Sequence, residues 1–450
     1  MTNNTPPITK SFLRRCTQFS LRTMLIGMLV LGLILGWVAH ERNQVAQEKA
    51  VRQAFWEQGF DVRVDPYLST RPQWLVALVG DRILPWVTAV LSNGLNSSED
   101  TSQPSDRVPS EIELRNSFNA QLANLQLMPR LKFLDLNNTK INDAGLAHLQ
   151  GLSALEKLDL GNTQITGTGF VHLRNLPKLD EISLVNTRVS DSTLSPLGGM
   201  RNLNFLDLGK TAVDGSFLKQ PNQFANLEIL RFSATPIRDE NLVHLRNLPK
   251  LLTLVMNDTP ITSAGIQQIG ALKMLEKLSL SNPNVSDDDL AILDSLRNLW
   301  GLDLSGTQVT GAGLVRCRGM ANLKFLRLQG SALSDAGMEG VAAVGTINTL
   351  VMRNTKITDE GLAHLDKLNI TLLLDLSETA ITDAGLVHLQ HSPELRELYL
   401  EGTQISDKGL KQLLVLRNLI TLNVKKTNMT KTGVQAFKKS LPGCQIENDF

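Results

Sequence analysis

The amino-acid sequence predicts an α/β solenoid, in which short parallel strands form one long sheet and short helices line its other side. A 24-residue pattern recurs thirteen times between residues 131 and 442 without insertion or deletion. Each unit opens with alternating apolar residues, typical of a strand, and continues with apolar residues at helical spacing. Aromatic residues make up only 5% of the chain, so recurring Leu and Ile must fill the core.

One unit reads L-x-x-L-x-L-x-x-T-x-I-T-D-x-G-L-x-x-L-x-x-L, and unit one starts at Leu131. In Leu134-Asp-Leu136 and its equivalents, both leucines point inward and the residue between them points outward. The ninth position is Thr in eleven units, where a buried hydroxyl can satisfy backbone groups as the chain leaves the strand. Thr or Ser before Asp, as in Thr358-Asp359, predicts the N-cap of a short helix. Glycine two residues after the Asp predicts close backbone packing.

This period and its T-D-x-G-L segment resemble the leucine-rich-repeat family over roughly residues 112–450. The units are similar to repeats of bacterial membrane-anchored members and, more loosely, to those of F-box-type leucine-rich-repeat proteins. The resemblance implies a curved horseshoe with the parallel sheet on the concave side and short helices on the convex side. Phe19-Ser-Leu-Arg22 also resembles the lead-in to an apolar helix in the bacterial proteins. The family more often has Asn where these units have Thr.

An uncharged stretch of 17 residues, 23–39, is just long enough to span a bilayer as a helix. The basic residues before it place the N-terminus in the cytoplasm and the repeats outside, at the cell membrane. Composition therefore predicts a basic N-terminus at 1–22, a transmembrane anchor at 23–39, a helical stalk at 40–58, an N-terminal cap at 59–92, a flexible loop at 93–110 and the repeat domain at 111–450.

Three other interpretations of the N-terminal part stay open. The apolar stretch could be a cleaved signal peptide, although bulky Trp37 lies where cleavage after Ala39 wants a small residue. Cys16 could be lipidated or an unmodified thiol. Residues 74–91 are apolar enough to suggest a second span, but Pro85 and a charged pair favour a cap over the open end of the solenoid.

The outward residues of the strands vary from unit to unit, as expected for a binding face. Trp, Phe and Arg together are the residue types enriched at interface hot spots. The alternative is an ordinary solvated sheet with scattered apolar residues. The candidate partner-binding residues are Trp300, Asp303, Phe325, Arg327, Val351, Arg353 and Tyr399, and the expected partner is a protein or a surface polymer on the concave face.

Catalytic and cofactor-binding patterns are missing from the sequence. It contains no G-x-S-x-G, no phosphate loop and no H-E-x-x-H, so we expect no enzyme activity, no cofactor and no bound metal. The net charge of +1 attracts no nucleic acid. Cys16, Cys317 and Cys444 are too few and too scattered for a disulfide framework or a zinc site.

Several polar clusters each have two interpretations. Asp287-Asp-Asp289 could bind calcium, but it occupies the N-cap position of other units. Cations between residues 408 and 439, where no acid occurs, could dock an acidic partner or simply keep the end of the domain soluble. Histidines at one repeat position could form a metal-binding ladder, or they could be copies of one solvent-facing residue. They are His148, His172, His244, His364 and His388.

The sequence as a whole predicts a non-catalytic, membrane-anchored protein that binds a partner through the concave face of its repeats. One alternative is an F-box-like adaptor that selects substrates for a ubiquitin ligase, although residues 74–91 do not match an F-box. Another is an enzyme with a site in residues 59–110.

Overall fold

The computed structural model describes residues 131–450, residues 122–128 and the single residues Gly32, Gly36 and Asn119. The chain divides into two compact units, residues 1–131 and 132–450. In the first, Ala123–Leu127 form a 3-10 helix. Apart from Gly32 and Gly36, which are helical, the predicted segments between residues 1 and 110 lie outside the described residues. Within the described part, no helix combines the length and apolar character needed to cross a bilayer.

The predicted parallel sheet is confirmed. Strand order follows chain order, and each strand pairs with the next in the 24-residue register, as Leu134 does with Leu158. Curvature of the sheet stays a prediction. The fourteen strands of the described residues are β1 (Phe133–Asp135), β2 (Lys157–Asp159), β3 (Glu181–Ser183), β4 (Phe205–Asp207), β5 (Ile229–Arg231), β6 (Thr253–Val255), β7 (Lys277–Ser279), β8 (Gly301–Asp303), β9 (Phe325–Arg327), β10 (Thr346–Val351), β11 (Asn369–Asp375), β12 (Glu397–Tyr399), β13 (Thr421–Asn423) and β14 (Gln445–Glu447).

Short helices connect the strands, and helices of neighbouring units lie in contact. In the described repeats the α-helices are Ser195–Gly198, Asp239–Leu242, Ser263–Ile269, Met338–Ala342, Asp359–Leu362, Asp407–Gln412 and Lys431–Ser440. The 3-10 helices are Asp143–Leu149, Thr168–His172, Asp191–Thr193, Ser216–Lys219, Val243–Asn247, Asp288–Asp294, Ala312–Cys317, Asp335–Gly337, Ala363–Lys367, Gly385–His391 and Leu413–Val415.

Buried aliphatic side chains and a recurring threonine form the interior. Leu134 and Leu136 are at most 1% exposed, and their equivalents are buried in the same way. All eleven ninth-position threonines donate their hydroxyl hydrogen to the carbonyl three residues earlier, at 2.6–2.9 Å. The predicted role of these threonines is therefore confirmed, since each satisfies a carbonyl where the chain turns away from its strand.

An aspartate at position thirteen occurs in eight of the thirteen units and ties each of these units to the next. Asp287 accepts hydrogen bonds from the amide and hydroxyl of Thr310, at 2.9 and 2.7 Å. It also accepts from the amides of Gly311 and Gly313, at 3.2 and 2.8 Å. Equivalent bonds to the following unit are made by Asp143, Asp191, Asp239, Asp335, Asp359, Asp383 and Asp407.

The residues flanking this aspartate behave as predicted. Thr358 is an N-cap whose hydroxyl oxygen accepts a hydrogen bond from the Glu360 amide, at 3.3 Å. A side-chain carbon at Gly409 would overlap the carboxylate of Asp383 in the preceding unit. Glycine is thus required here because it allows the aspartate of one unit to reach the backbone of the next.

Unit seven is irregular where Pro283 replaces the ninth-position threonine. In every other described unit the eighth residue has left-handed backbone, with φ between 53° and 72°. Asn282, which precedes the proline, does not, because the proline ring restricts the residue before it. Its buried amide instead accepts from the Thr259 amide at 2.7 Å and donates to the Met256 carbonyl at 2.9 Å. In unit seven the hydrogen bonds of the Asn282 side chain thus take the place of the left-handed turn that the other units have.

Two other units depart from the repeat pattern in sequence and in structure. Where Thr371 occupies a leucine position, Thr371 and Leu372 of β11 lie opposite Asn348 alone of β10, which is a β-bulge. In unit four, Phe217 lies edge-on to Phe224, with ring centroids 5.2 Å apart. Leu372, at the bulge, is 39% exposed.

We expect Asp287→Ala to lower the free energy of unfolding by about 1–3 kcal/mol, because it leaves donors of the next unit without an acceptor. Asp288→Ala is the matched control, since this neighbouring carboxylate is exposed. Urea titration followed by circular dichroism measures both. Equal midpoints for the two variants would contradict the role given to Asp287.

The effect of Asp287→Ala should also depend on pH. Burial alone raises the pKa of Asp287, but hydrogen bonds from Gly313, Thr310 and Gly311 outweigh it and hold the pKa below its usual value. A carboxylate with a lowered folded-state pKa stabilises the fold above its unfolded pKa of about 4, and that stabilisation is lost as pH falls through the folded value. The difference in the free energy of unfolding between the unsubstituted protein and Asp287→Ala should therefore be largest at neutral pH and should shrink in acid.

Candidate partner-binding surface

The unshifted register brings equivalent residues of successive units side by side on the solvent-facing side of the sheet, here called the strand face. Asp303, Arg327 and Val351 form one row across β8, β9 and β10. A second row runs through the first residue of each strand, and there Gly301 of β8 lies between Lys277 of β7 and Phe325 of β9. Candidates that are 24 residues apart in the sequence are therefore direct neighbours.

Two aromatic rings, each covered by a cation, form a surface that we call the aromatic platform (Lys277, Trp300, Gly301, Phe325 and Arg327). The Lys277 ammonium lies 4.3 Å from the centre of the Trp300 ring, and the Arg327 guanidinium lies 5.3 Å from that of Phe325. Gly301 leaves room between them, since a side-chain carbon there would lie 3.4 Å from Lys277 Cγ and 4.0 Å from Phe325 Cδ1. Trp300 is 38% exposed. The platform presents apolar and cationic groups together.

Arg327 has hydrogen-bonding capacity that the described residues do not use. Among the described residues its only ion pair is with Asp303, at a long 3.8 Å between Nη1 and Oδ2. Its Nε is buried and has no hydrogen-bond partner. Lys277 makes no ion pair within the described part of the chain, and its ammonium lies over the Trp300 indole. Both cations retain donors for another molecule.

The other three candidates are less available than the sequence predicts. Val351 is only 7% exposed, because neighbouring side chains cover it. Arg353 is held by Glu378 at 2.6 Å and by Glu401 at 3.5 Å. Tyr399 lies two strands beyond Val351, and its hydroxyl donates to Glu397 at 3.0 Å. The structure brings Trp300, Asp303, Phe325 and Arg327 together and leaves Tyr399 apart from them.

The charges around Arg353 neutralise one another. Glu401 also pairs with Lys426 at 2.7 Å, and this bond, with Arg353 on the other side, holds the pKa of Glu401 below its usual value. Burial lowers the pKa of Arg353, but Glu378 and Glu401 outweigh it and leave the pKa raised. Burial and the Glu397 carboxylate likewise raise the pKa of Tyr399. This part of the strand face is stabilised internally.

The polar clusters noted in the sequence have structural partners. His172 Nδ1 lies 2.6 Å from Gln150 Nε2, and His388 Nδ1 lies 3.0 Å from Asp366 Oδ1. In both pairs the partner belongs to the preceding unit. Asp289 accepts from the amide of Ser286 at 2.8 Å. No three His, Cys, Asp or Glu side chains among the described residues are arranged to hold a metal ion.

The basic C-terminal end is only partly neutralised. Lys425 pairs with Glu447 at 3.0 Å and Lys426 with Glu401. The remaining cations of this segment are exposed and form no ion pair in the described part of the chain. They are Lys408, Lys411, Arg417, Lys431, Lys438 and Lys439.

Two comparisons of sequence bear on the repeats. A family model for leucine-rich repeats (two copies) matches residues 129–175, and a model for a single leucine-rich repeat matches residues 391–414. No curated protein matches the chain.

Solved structures resemble the fold at low sequence identity. An internalin from Listeria monocytogenes is 20% identical, with a TM-score of 0.50 over 74% of this chain and 88% of the internalin. A leucine-rich-repeat protein from Leptospira interrogans is 19% identical, with a TM-score of 0.38 over 73% of this chain and 98% of that protein. The plant peptide hormone receptor RGFR1 is 18% identical, with a TM-score of 0.42 over 73% and 57%. At these identities the likeness to the internalin shows the fold alone.

We expect the two described cysteines to be unreactive in the folded protein. Burial raises the pKa of Cys317 to about 12 and that of Cys444 to about 11, so neither thiol ionises appreciably at pH 8, and the thiolate is the nucleophile. With Cys16 replaced by serine, a disulfide-exchange reagent should release no chromophore until the chain is unfolded in guanidinium. Stoichiometric release from the folded chain would contradict this.

Proposed function

We propose that this leucine-rich-repeat protein is a non-catalytic binding protein that holds a protein partner on the aromatic platform of its strand face. The observation that carries the proposal is the exposed Trp300 ring with the Lys277 ammonium upon it, beside Phe325 and Arg327. Aromatic and arginine side chains supply most of the binding free energy at protein interfaces, because they bury a large apolar area and keep a polar handle.

Charge pairing elsewhere on the strand face supports the choice of the platform. Lys157 pairs with Glu181 at 2.6 Å, and Arg231 pairs with Asp207 at 3.5 Å. Arg353 lies between two glutamates. A partner binding at those places must break an existing pair. At the platform it finds cations with free donors, whose desolvation a partner's acidic or carbonyl groups can offset.

The proposal includes attachment to a membrane through residues 23–39. Its support is the sequence: 17 uncharged residues preceded by Lys10, Arg14, Arg15 and Arg22, with no acidic residue among the first 40. An anchored solenoid would present the platform outside the cytoplasm, where its partner would be another envelope protein or a surface polymer.

Replacing Phe325 and Arg327 by alanine should weaken binding of the main partner by about 2 kcal/mol or more, roughly thirtyfold in Kd. The partner is first captured on the immobilised full chain from detergent-solubilised membranes and identified by mass spectrometry. Its affinity for each variant is then measured by biolayer interferometry.

The chain offers a closely matched control for this pair. The guanidinium of Arg231 likewise lies over the ring of Phe205, at 5.1 Å from its centre, and Asp207 lies nearby. This second pair is away from the platform, with Phe205 on β4 and Arg231 on β5. Phe205→Ala with Arg231→Ala should leave the affinity unchanged. Equal losses in the two double variants, or no loss in either, would remove the platform as the binding site.

The membrane proposal is tested by topology. A phosphatase that needs disulfide bonds, fused after Phe450, should be active, because such bonds form outside the cytoplasm. The same reporter fused after Arg22, before the apolar stretch, should be inactive. An inactive reporter after Phe450, with the fusion protein present in the membrane fraction, would contradict the proposed orientation.

A further inference from the structure

The second position of each unit, directly before its strand, forms a row along one margin of the strand face. In units eight to thirteen we call this row the rim strip. Its apolar members are exposed, although most large apolar side chains of the described residues are buried: Trp300 is 38% exposed, Leu372 39% and Ile420 51%. The complete strip is Trp300, Lys324, Asn348, Leu372, Arg396 and Ile420.

The same row has a different character in the first seven units. There it is mostly acidic and ends at Glu276, next to Trp300. From Trp300 onward it contains no acid, and apolar and cationic residues alternate on either side of Asn348. The change in chemistry marks the rim strip as a surface of its own. The residues of the earlier part are Lys132, Glu156, Asp180, Asn204, Glu228, Leu252 and Glu276.

Hydrogen bonds to the next unit hold the backbone of the rim strip in place. The carbonyl of Trp300 accepts from the amides of Lys324 and Phe325, at 2.8 and 2.9 Å. That of Arg396 accepts from Ile420 and Thr421, at 2.7 and 3.0 Å. Side chains along the strip therefore start from fixed positions, which lowers the entropy lost when a ligand binds.

The two cations of the strip are free to bind an anion. Within the part of the chain that the structure describes, Lys324 Nζ makes one long hydrogen bond of 3.4 Å to the carbonyl of Thr346 and no ion pair. The Arg396 guanidinium makes neither a hydrogen bond nor an ion pair within the described residues. The carboxylate of the adjacent Glu397 accepts the Tyr399 hydroxyl instead.

We propose that the rim strip binds an extended segment of the partner protein with the pattern apolar-x-acidic-x-apolar-x-acidic-x-apolar. Parallel strands lie about 4.8 Å apart, so Lys324, Leu372, Arg396 and Ile420 lie about 5, 14, 19 and 24 Å from Trp300 along the strip. In an extended segment, side chains on one face recur about every 7 Å, at about 7, 13, 20 and 27 Å from the first. The two series match in order and chemistry, to within the reach of a side chain.

This inference rests on the proposed function, since Trp300 belongs to both surfaces, and it adds the sequence character of the partner. An anionic polymer would pair with Lys324 and Arg396 but would leave Leu372 and Ile420 without apolar contacts. A protein segment supplies both kinds of group at the required spacing, and the asparagine between the two halves of the strip needs no charged partner.

The test uses the full chain in detergent and a fluorescein-labelled nonapeptide, Leu-Ser-Glu-Ser-Leu-Ser-Glu-Ser-Leu, with fluorescence anisotropy as the readout. A peptide of the same composition in the order Leu-Leu-Leu-Ser-Ser-Ser-Ser-Glu-Glu is the control for pattern. The patterned peptide should bind about tenfold more tightly than the reordered one, which corresponds to about 1.4 kcal/mol.

Two double variants locate the binding on the rim strip. Leu372→Asp with Ile420→Asp should abolish the preference for the patterned peptide. Val315→Asp with Val387→Asp is the matched control, because these side chains are 44% and 46% exposed and lie on helices rather than before strands. Thermal unfolding of each variant shows that the fold is retained. Loss with the first pair and retention with the second would support the proposal.

Charge reversal gives a gain of binding that misfolding cannot imitate. Lys324→Glu with Arg396→Glu should reject the patterned peptide and bind its lysine counterpart, Leu-Ser-Lys-Ser-Leu-Ser-Lys-Ser-Leu. Equal binding of patterned and reordered peptides, no binding of either, or no change on charge reversal would each overturn the inference. The proposed function fails separately, if the Phe325 and Arg327 substitutions leave partner capture intact.

Discussion

The constraint on which the repeat domain depends is the set of hydrogen bonds that an aspartate of one unit accepts from the backbone of the next, which occurs at eight unit junctions. The helices of the repeats are only three to ten residues long, too short to be stable alone, and their first amide groups have no partner within the helix. The carboxylate of Asp287 supplies acceptors for three residues of the following unit. Glycine at the contact, as at Gly409, allows the approach. At these eight junctions the helix is thus stabilised by the preceding unit.

Fixing the helices in this way also fixes the register of the strands. The strand face then divides into a part where cations pair with acids and a part where they do not. Most of its cations are neutralised by an acid one or two strands away, as Lys157 is by Glu181. Pairing of this kind stabilises exposed side chains only slightly, but it removes free charge. The pairing of cations with acids is interrupted around Trp300, where the Lys277 ammonium contacts the Trp300 ring instead of a carboxylate. The binding surface is therefore recognisable by where internal neutralisation stops.

The sequence alone predicts what repeats and misses what depends on neighbours. Inward leucines, the threonine hydroxyls and the N-caps follow from the pattern of a single unit, and the structure confirms them. Alternation also says that Val351 and Arg353 point outward, but it cannot say that adjacent side chains bury Val351 or that Glu378 holds Arg353. The bulge at Thr371 and Leu372 also becomes visible only when β10 and β11 are paired. Lys277 was missed because its ring partner, one unit later, lies beside it only once the register is known.

Trp300 is the residue at which the aromatic platform and the rim strip meet, and this has a consequence for affinity. The Lys277 ammonium over its ring already restricts the Trp300 side chain, and the hydrogen bonds that its carbonyl accepts from Lys324 and Phe325 restrict its backbone. A partner that contacts both surfaces at this point orders few additional groups, so more of the apolar area it buries appears as binding free energy. The remaining freedom lies in Lys324 and Arg396, whose flexible stems can follow the spacing of acidic groups on the partner. Rigid apolar contacts then determine where the segment lies, and adaptable cations determine which segment is accepted.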